Sequence, residues 1–385
     1  MKPCVGTRSI PPALVLLFAL VVAACGGAAS GEVAGGGGTS TTTSSTSTSS
    51  TTTPGTGPPA PLTGEAVDDA TLAARSALVV KIGNNDAKSI PQTGLAEADL
   101  VYEEYIEGQK TRLAAVFHSE VPAAIGPVRS GRLSDIDLVA DLGTPSFAYS
   151  GGNPTVLRQF LGAFEAGAFV DVGELRLESL YVRAEARSRP DNLYLSADQV
   201  DLTQGSVPVP LFTYGPLPAG MGADAAGVEV RYPTSFGRSS VHIWDGAAGG
   251  WVRLQDEELH TTISGEAEIE IAPPNVVVAV VRYVASEADP SQSPRAESNG
   301  TGPVFVLTQG RMVEGTWTRG ADGPGWTLAD AGGRPIPLAP GATWVLLAAA
   351  EGSAFGDAAV THLEPVDAAE RLAEARAEFA ESSAE

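Results

Sequence analysis

The sequence has almost no cysteine: Cys4 and Cys25 are the 2 present in 385 residues, and Cys4 lies in a stretch expected to be cut away. A mature chain with one thiol forms no internal disulfide, so its folded part must be held by an ample core. Basic residues are also scarce, with 24 Lys and Arg against 46 Asp and Glu, a formal net charge of -22. Removing Lys2 and Arg8 with a leader leaves 22 against 46, or -24. That balance excludes the clustered basic footprint of a nucleic-acid binder and repels anionic membranes and polymers. Its plain reading is solubility at a crowded surface; the other is steering of a substrate. The 4 histidines, His118, His242, His260 and His362, show no metal-ligand spacing. Neither a Gly-x-Ser-x-Gly elbow nor a lone reactive cysteine occurs, and no cofactor or metal is implied. Long apolar runs are missing too. The stretch from Ala13 to Val22 is uncharged but too short to span a bilayer.

That stretch instead fits an export signal. Lys2 and Arg8 make a cationic start, and Val22-Ala23-Ala24-Cys25 resembles the bacterial lipobox, in which small residues enter the signal peptidase and the thiol takes a diacylglycerol. The expectation is a signal peptide over 1–24 and lipidation of Cys25, leaving the protein extracytoplasmic and lipid-anchored to the cell membrane. A plain secretory signal with an incidental cysteine is the alternative. Residues 25–60 carry a Gly run at 35–38 and a Thr/Ser run at 39–53. Such composition cannot offset its own ordering entropy, which predicts a disordered tether.

The foldable part begins near Pro61, where 44 Gly and 28 Pro in the chain favour turns and strands over long helices. Ala77 to Ile82 reads as a buried strand followed by turn residues Gly83 to Asp86. Asp99–Glu107 and Arg112–His118 read as a hairpin across Gly108-Gln109-Lys110, with Glu103 and Glu107 on one face and Glu104 on the other. A helix is expected over Ser134–Leu142. A short strand at Phe147–Tyr149 should lead through Ser150-Gly151-Gly152-Asn153 into another helix, with Asn153 as N-cap and Pro154 in its first turn. That turn either presents backbone donors to an anion or is simply tight and well capped.

The most chemically suggestive run is Gly126-Pro127-Val128-Arg129-Ser130-Gly131-Arg132. Two arginines three apart can clamp a carboxylate or phosphate. Equally, Arg112, Arg129 and Arg132 can be neutralised internally by Asp99, Glu103, Glu104, Asp135 or Asp137. Beyond Val207-Pro208-Val209-Pro210, short alternating runs separated by Asp245-Gly246 and Gly332-Gly333 predict an antiparallel β unit. Its tryptophans, Trp244, Trp251, Trp317, Trp326 and Trp344, belong either to the core or to a ligand shelf.

Many ordered segments resemble the YerB-like lipoproteins, a family with N- and C-terminal DUF3048 parts of unknown function. They include Pro91 to Leu95, Ala98 to Glu103, Thr111-Arg112, Ile125 to Arg132, Ser150 to Asn153 and Asn192 to Tyr194. The second half adds Asn275 to Val278, Gly300 to Gly302, Glu314 to Trp317 and Pro340 to Trp344. The resemblance covers roughly 61 to 349 and implies a mixed α+β fold whose second half completes a sheet; it implies no reaction. One departure is Asp191, where many relatives carry a histidine before Asn-Leu-Tyr.

The expected organisation is a first domain over 61–205, a β-rich second over 206–350 and an acidic Ala/Glu-rich tail over 351–385, which past Pro365, with Leu372 and Phe379 seven apart, reads as a marginal exposed helix or a frayed end. The fold class is α+β, with a mixed sheet and helices in the first half and mostly antiparallel β in the second. The expected role is a binding module for an anionic or peptide-like cell-envelope ligand, with Asn84, Arg112, Arg129, Ser130, Arg132, Ser150, Gly151, Gly152 and Asn153 as candidate binding residues. The alternatives are a scaffold docking another envelope protein, and an envelope hydrolase or transferase using carboxylates such as Asp99, Glu103 or Asp137.

Overall fold

The computed structural model describes residues 57–84, 88–233, 238–290, 292–320 and 323–384. The expected signal peptide, Cys25 and nearly all of the expected tether lie outside these residues.

Ala77 to Ile82 does form a strand, Leu78–Asn84, with every residue buried. Its apolar run, interrupted by Lys81, follows from its place inside a sheet covered on both faces. Strand Lys110–Phe117 pairs with it antiparallel on one edge and Ser146–Ala148 parallel on the other. Lys110–Phe117 is in turn the second arm of the expected hairpin with Leu100–Ile106. Gly108 and Gln109 both hold positive φ at the bend (72° and 58°), the backbone twist that tight hairpins favour.

Among the described residues this sheet has twelve strands. The Leu100 strand runs parallel to Thr343–Ala349, with Thr343 opposite Leu100 and Leu346 opposite Glu103. The Thr343 strand is itself parallel to Asn275–Ala285. One backbone ladder thus joins strands from both sides of residue 206, and the second half does complete the sheet begun by the first. Helix α1, Ser134–Val139, continues as a tightened turn over Ala140–Leu142 and so fills the expected span. Helix α2, Pro154–Glu165, opens as expected, with Asn153 accepting a hydrogen bond from Thr155 N (2.9 Å).

A second, five-stranded antiparallel sheet includes Gly227–Arg231, Ser239–Asp245, Gly250–Gln255 and Ala359–His362. Alternation divides its faces. Val241, Ile243, Val252 and Leu254 cluster with Leu363, Ala368, Leu372 and Ala375, whereas Ser240, Arg253 and Gln255 point toward the large sheet.

The expected tail over 351–385 needs correction. It contributes the edge strand Ala359–His362, paired to Gly227–Arg231, and helix α3, Pro365–Ser382, which buries Ala368, Leu372 and Ala375. The alanines supply the buried stripe between the widely spaced large apolar residues Leu372 and Phe379, so the exposed reading undercounted the apolar face. The tryptophans follow the core reading rather than the shelf. Trp251, Trp317, Trp326 and Trp344 are buried, and only Trp244 is half-buried.

Candidate functional site

Neighbouring residues on a strand point to opposite faces, so Glu103 and Glu104 lead into two different polar clusters. Glu103 is fully buried and faces the smaller sheet. Its carboxylate accepts from Arg253 Nη2 (2.9 and 3.1 Å), Trp344 Nε1 (3.0 Å), Thr111 Oγ1 (3.0 Å) and Ser240 Oγ (3.1 Å). Arg253 also donates to His260 Nδ1 (2.5 Å), which leaves the proton on Nε2 to be donated to Gln92 Oε1 (2.7 Å). Burial, and then the charge of Arg253, hold His260 and His242 well below the usual imidazole range. Both rings are therefore neutral. This cluster ties strands of the first half to strands of the second through fully enclosed bonds.

Asn84 belongs to this enclosed cluster: its amide donates to Thr111 Oγ1 (2.7 Å) and Gln255 Oε1 (2.9 Å). The structure therefore does not bring Asn84 to the arginine loop with which it was grouped.

Glu104 faces the other way. Lys81 Nζ lies 2.6 Å from Glu104 Oε1 and 2.7 Å from Asp135 Oδ1, all three side chains buried. Burial, opposed by Lys81 and reinforced by Glu104, pushes the Asp135 carboxyl up to about 6. Above this triad sits Arg112, directly across the hairpin from Glu104. Burial and then the charges of Arg132 and Arg129 press its guanidinium down to about 9. Three of the sequence-predicted arginines therefore lie close enough to repel one another.

Arg112 Nη1 (3.0 Å) and Arg132 Nη1 (3.1 Å) both donate to the Ser130 carbonyl. Arg132 also pairs with Glu107, and Arg129 Nη1 with Asp191 Oδ1 at 2.5 Å. Arg129 and Arg132 retain 16% and 13% side-chain exposure. The loop meets the glycine turn through two backbone bonds, Ser150 N to Arg129 O (2.9 Å) and Gly131 N to Gly151 O (3.1 Å). Gly131 is required there, because a Cβ would lie 2.3 Å from the Phe160 ring of α2. Ser130, Ser150, Gly151 and Gly152 are half-buried and Asn153 is exposed, so eight of the nine predicted residues share one region. Ser150 Oγ donates to Glu174 Oε2 (2.5 Å), and Glu174 pairs with Arg183 (2.7 Å).

Glu107 also needs correction. The strand ends at Ile106, so its alternation no longer governs Glu107, which joins Arg132 on the side of Glu104 rather than that of Glu103. The carboxylates considered for catalysis do not converge. Asp99 accepts from His118 N and Ser119 N, and burial raises it to about 6. Glu103 is enclosed, and Asp137 pairs with Arg295 at 3.2 Å. Among the described residues no three His, Cys, Asp or Glu side chains gather as metal ligands.

Sequence reading missed the Lys81 triad, and it singled out Asp191 as a departure from the family without pairing it to Arg129. A lysine inside Val79-Val80-Lys81-Ile82 was itself a signal, because a charge in a doubly covered strand demands carboxylates.

Residues 62–206 match the family described as "Protein of unknown function (DUF3048) N-terminal domain", and residues 228–345 match the DUF3048 C-terminal domain. The chain is similar to "Putative lipoprotein YerB" of Bacillus subtilis (strain 168), at 30% identity over 297 residues, covering 74% of this chain and 85% of that one. Its fold is similar to that in the crystal structure of YerB protein from Bacillus subtilis, with a TM-score of 0.64 at 22% identity, covering 78% of this chain and 99% of that one.

Proposed function

This chain belongs to the DUF3048 family, and on that premise we propose that it is a membrane-anchored extracytoplasmic lipoprotein whose arginine loop binds an anionic or peptide-like envelope ligand. The similarity to a putative lipoprotein and the lipobox ending in Cys25 support the anchor. No helix among the described residues is long and apolar enough to cross a membrane.

The observation that carries the binding reading is the convergence of Arg112 and Arg132 on one carbonyl, with Arg129 close enough for its charge to act on Arg112, in a chain of net charge -22. Grouping guanidinium ions costs free energy even when carboxylates lie nearby, and an added anion would offset that repulsion. Two of the three keep exposed edges through which an anion can be met. The adjoining Ser150 turn is tied to the loop through Ser150 N and Gly151 O, and its hydroxyl already donates to Glu174.

A second reading also has an observation behind it. Because Arg112 and Arg132 both hold the Ser130 carbonyl, and Arg132 also donates to Gly131 O (2.9 Å), the arginines can act purely as pins for the loop. Calorimetric titration of the full chain with muropeptides, teichoic-type phosphates and nucleotides at low and high salt separates the two. A binding loop takes up one of these classes, less tightly as salt screens the arginines, and Arg129→Ala/Arg132→Ala abolishes the uptake. Equal binding by that double variant would contradict the site.

A further inference from the structure

Beside the arginine loop is a small pocket of about 240 Å³ lined by Lys88, Ile90, Arg187, Ser188 and Asp191. Arg187 builds its wall by donating to the carbonyls of Lys88 (3.3 Å), Ser89 (3.3 Å) and Pro91 (2.7 Å). Lys88 and Ser188 are exposed at the mouth, Arg187 and Ile90 are half-buried, and Asp191 is buried. One oxygen of Asp191 accepts from both Arg129 Nη1 (2.5 Å) and Ser89 Oγ (2.9 Å). Asp191 thus links the pocket to the arginine loop.

We propose that this pocket receives the terminal carboxylate of a peptide-like ligand, and that Asp191 is a built-in competing carboxylate that sets how tightly it is held. The proposal rests on the binding reading above. What Arg129 and a serine hydroxyl already hold between them is a carboxylate, so the back of the pocket is furnished for that group. Lys88 and Ser188 stand at the mouth, Arg187 adds its positive charge from the wall, and Ile90 supplies an apolar side. The volume lies below the several hundred Å³ of a pocket that encloses a whole small molecule, and fits the end group of a longer ligand. An incoming phosphate would bring up to two negative charges against Asp191, where a carboxylate brings one. Asp191 therefore disfavours the more highly charged anion and weakens the carboxylate that is accepted.

Asp191→Asn removes the competing charge while keeping an oxygen that can accept from Arg129 and Ser89. Removing one like charge at contact range in a partly buried site should tighten carboxylate binding about tenfold. The test is calorimetric titration of the full chain with alanyl-alanine, with its C-terminal amide and with inorganic phosphate, for the unmodified sequence and for Asp191→Asn. The proposal expects the free acid to bind both chains, about tenfold more tightly after Asp191→Asn, and the amide to bind neither. Should Asp191→Asn fail to fold, Lys88→Gln at the exposed mouth serves in its place and should weaken the acid by several-fold. Binding of phosphate in preference to the acid would overturn the ligand class. Unchanged or weaker binding of the acid after Asp191→Asn would overturn the role of Asp191 while leaving the arginine-loop reading intact. If the acid binds neither chain but muropeptide uptake still depends on Arg129 and Arg132, this pocket is refuted and the binding reading survives; if no anion binds at all, both fall.

Discussion

Glu103 and Glu104 are adjacent in sequence, yet one is bonded into the joint between the two halves of the chain and the other lies beneath the arginine loop. The consequences of changing them should differ. Glu103→Gln leaves Arg253 buried without its counter-ion, and breaking an enclosed pair in this way costs about 3–5 kcal/mol. Ser240→Ala, which removes one neutral donor to the same carboxylate and no charge, should cost less, about 1.5 kcal/mol. Guanidinium denaturation of the two variants is the check, and equal losses would argue against a genuine buried pair. The sequence hints at this organisation through Lys81 in an apolar run and Arg253 between Val252 and Leu254. It does not say which carboxylate meets which cation, because Glu103 lies 150 positions from Arg253 and Gln92 lies 168 from His260.

The hairpin, α1, α2 and the second-half strands were legible because turn chemistry, N-caps and alternation are local. Helix α3 was misread because its buried stripe is largely alanine, which weakens the contrast between its two faces. Its packing gives a direct prediction. Leu372→Ala opens the cluster formed by Val241, Ile243, Leu254 and Leu363, and should lower stability by about 2–4 kcal/mol; a loss under half a kcal/mol in urea denaturation would mean that the helix is only loosely docked. Gly131 offers a second test. Gly131→Ala drives a methyl into Phe160, for which an overpacking cost of about 1–3 kcal/mol is expected. Because the same shift disturbs the bond from Gly131 to Gly151, envelope-ligand binding should weaken with it.

The two family regions are intertwined in one sheet rather than set side by side; the family resemblance implied a shared sheet, but not which strands join, because the Thr343 and Leu100 strands are remote along the chain. Shared packing makes acid sensitivity a property of the whole body. Burial holds His118, His242 and His260 below their ordinary range in the folded state. As pH falls through about 6.5 the unfolded chain binds protons that the folded chain refuses, so stability falls. Asp99 and Asp135 act oppositely. Both are raised to about 6, so from there down to about 4 the folded state binds their protons first and the fall is opposed. Below about 4 the depressed Glu107, Asp201 and Asp245 take up protons more readily in the unfolded chain, and the loss resumes. Urea midpoints measured from pH 7.5 to 3 should therefore drop, flatten and drop again; a midpoint that rises between pH 7 and 6 would contradict the neutral buried histidines.

The binding claim is tested most directly by thermal unfolding of the full chain and of its Arg129→Ala/Arg132→Ala variant, each with and without saturating muropeptide. Without ligand the variant should melt several degrees lower, since it breaks the largely buried pairs to Asp191 and Glu107 and the bonds from Arg132 to the Ser130 and Gly131 carbonyls. Muropeptide at about a hundred times its dissociation constant should then stabilise the unmodified chain by roughly 2.7 kcal/mol and leave the variant unmoved. A variant that melts far lower on its own, with no ligand response from either chain, would make the arginines pins of the loop and contradict the account.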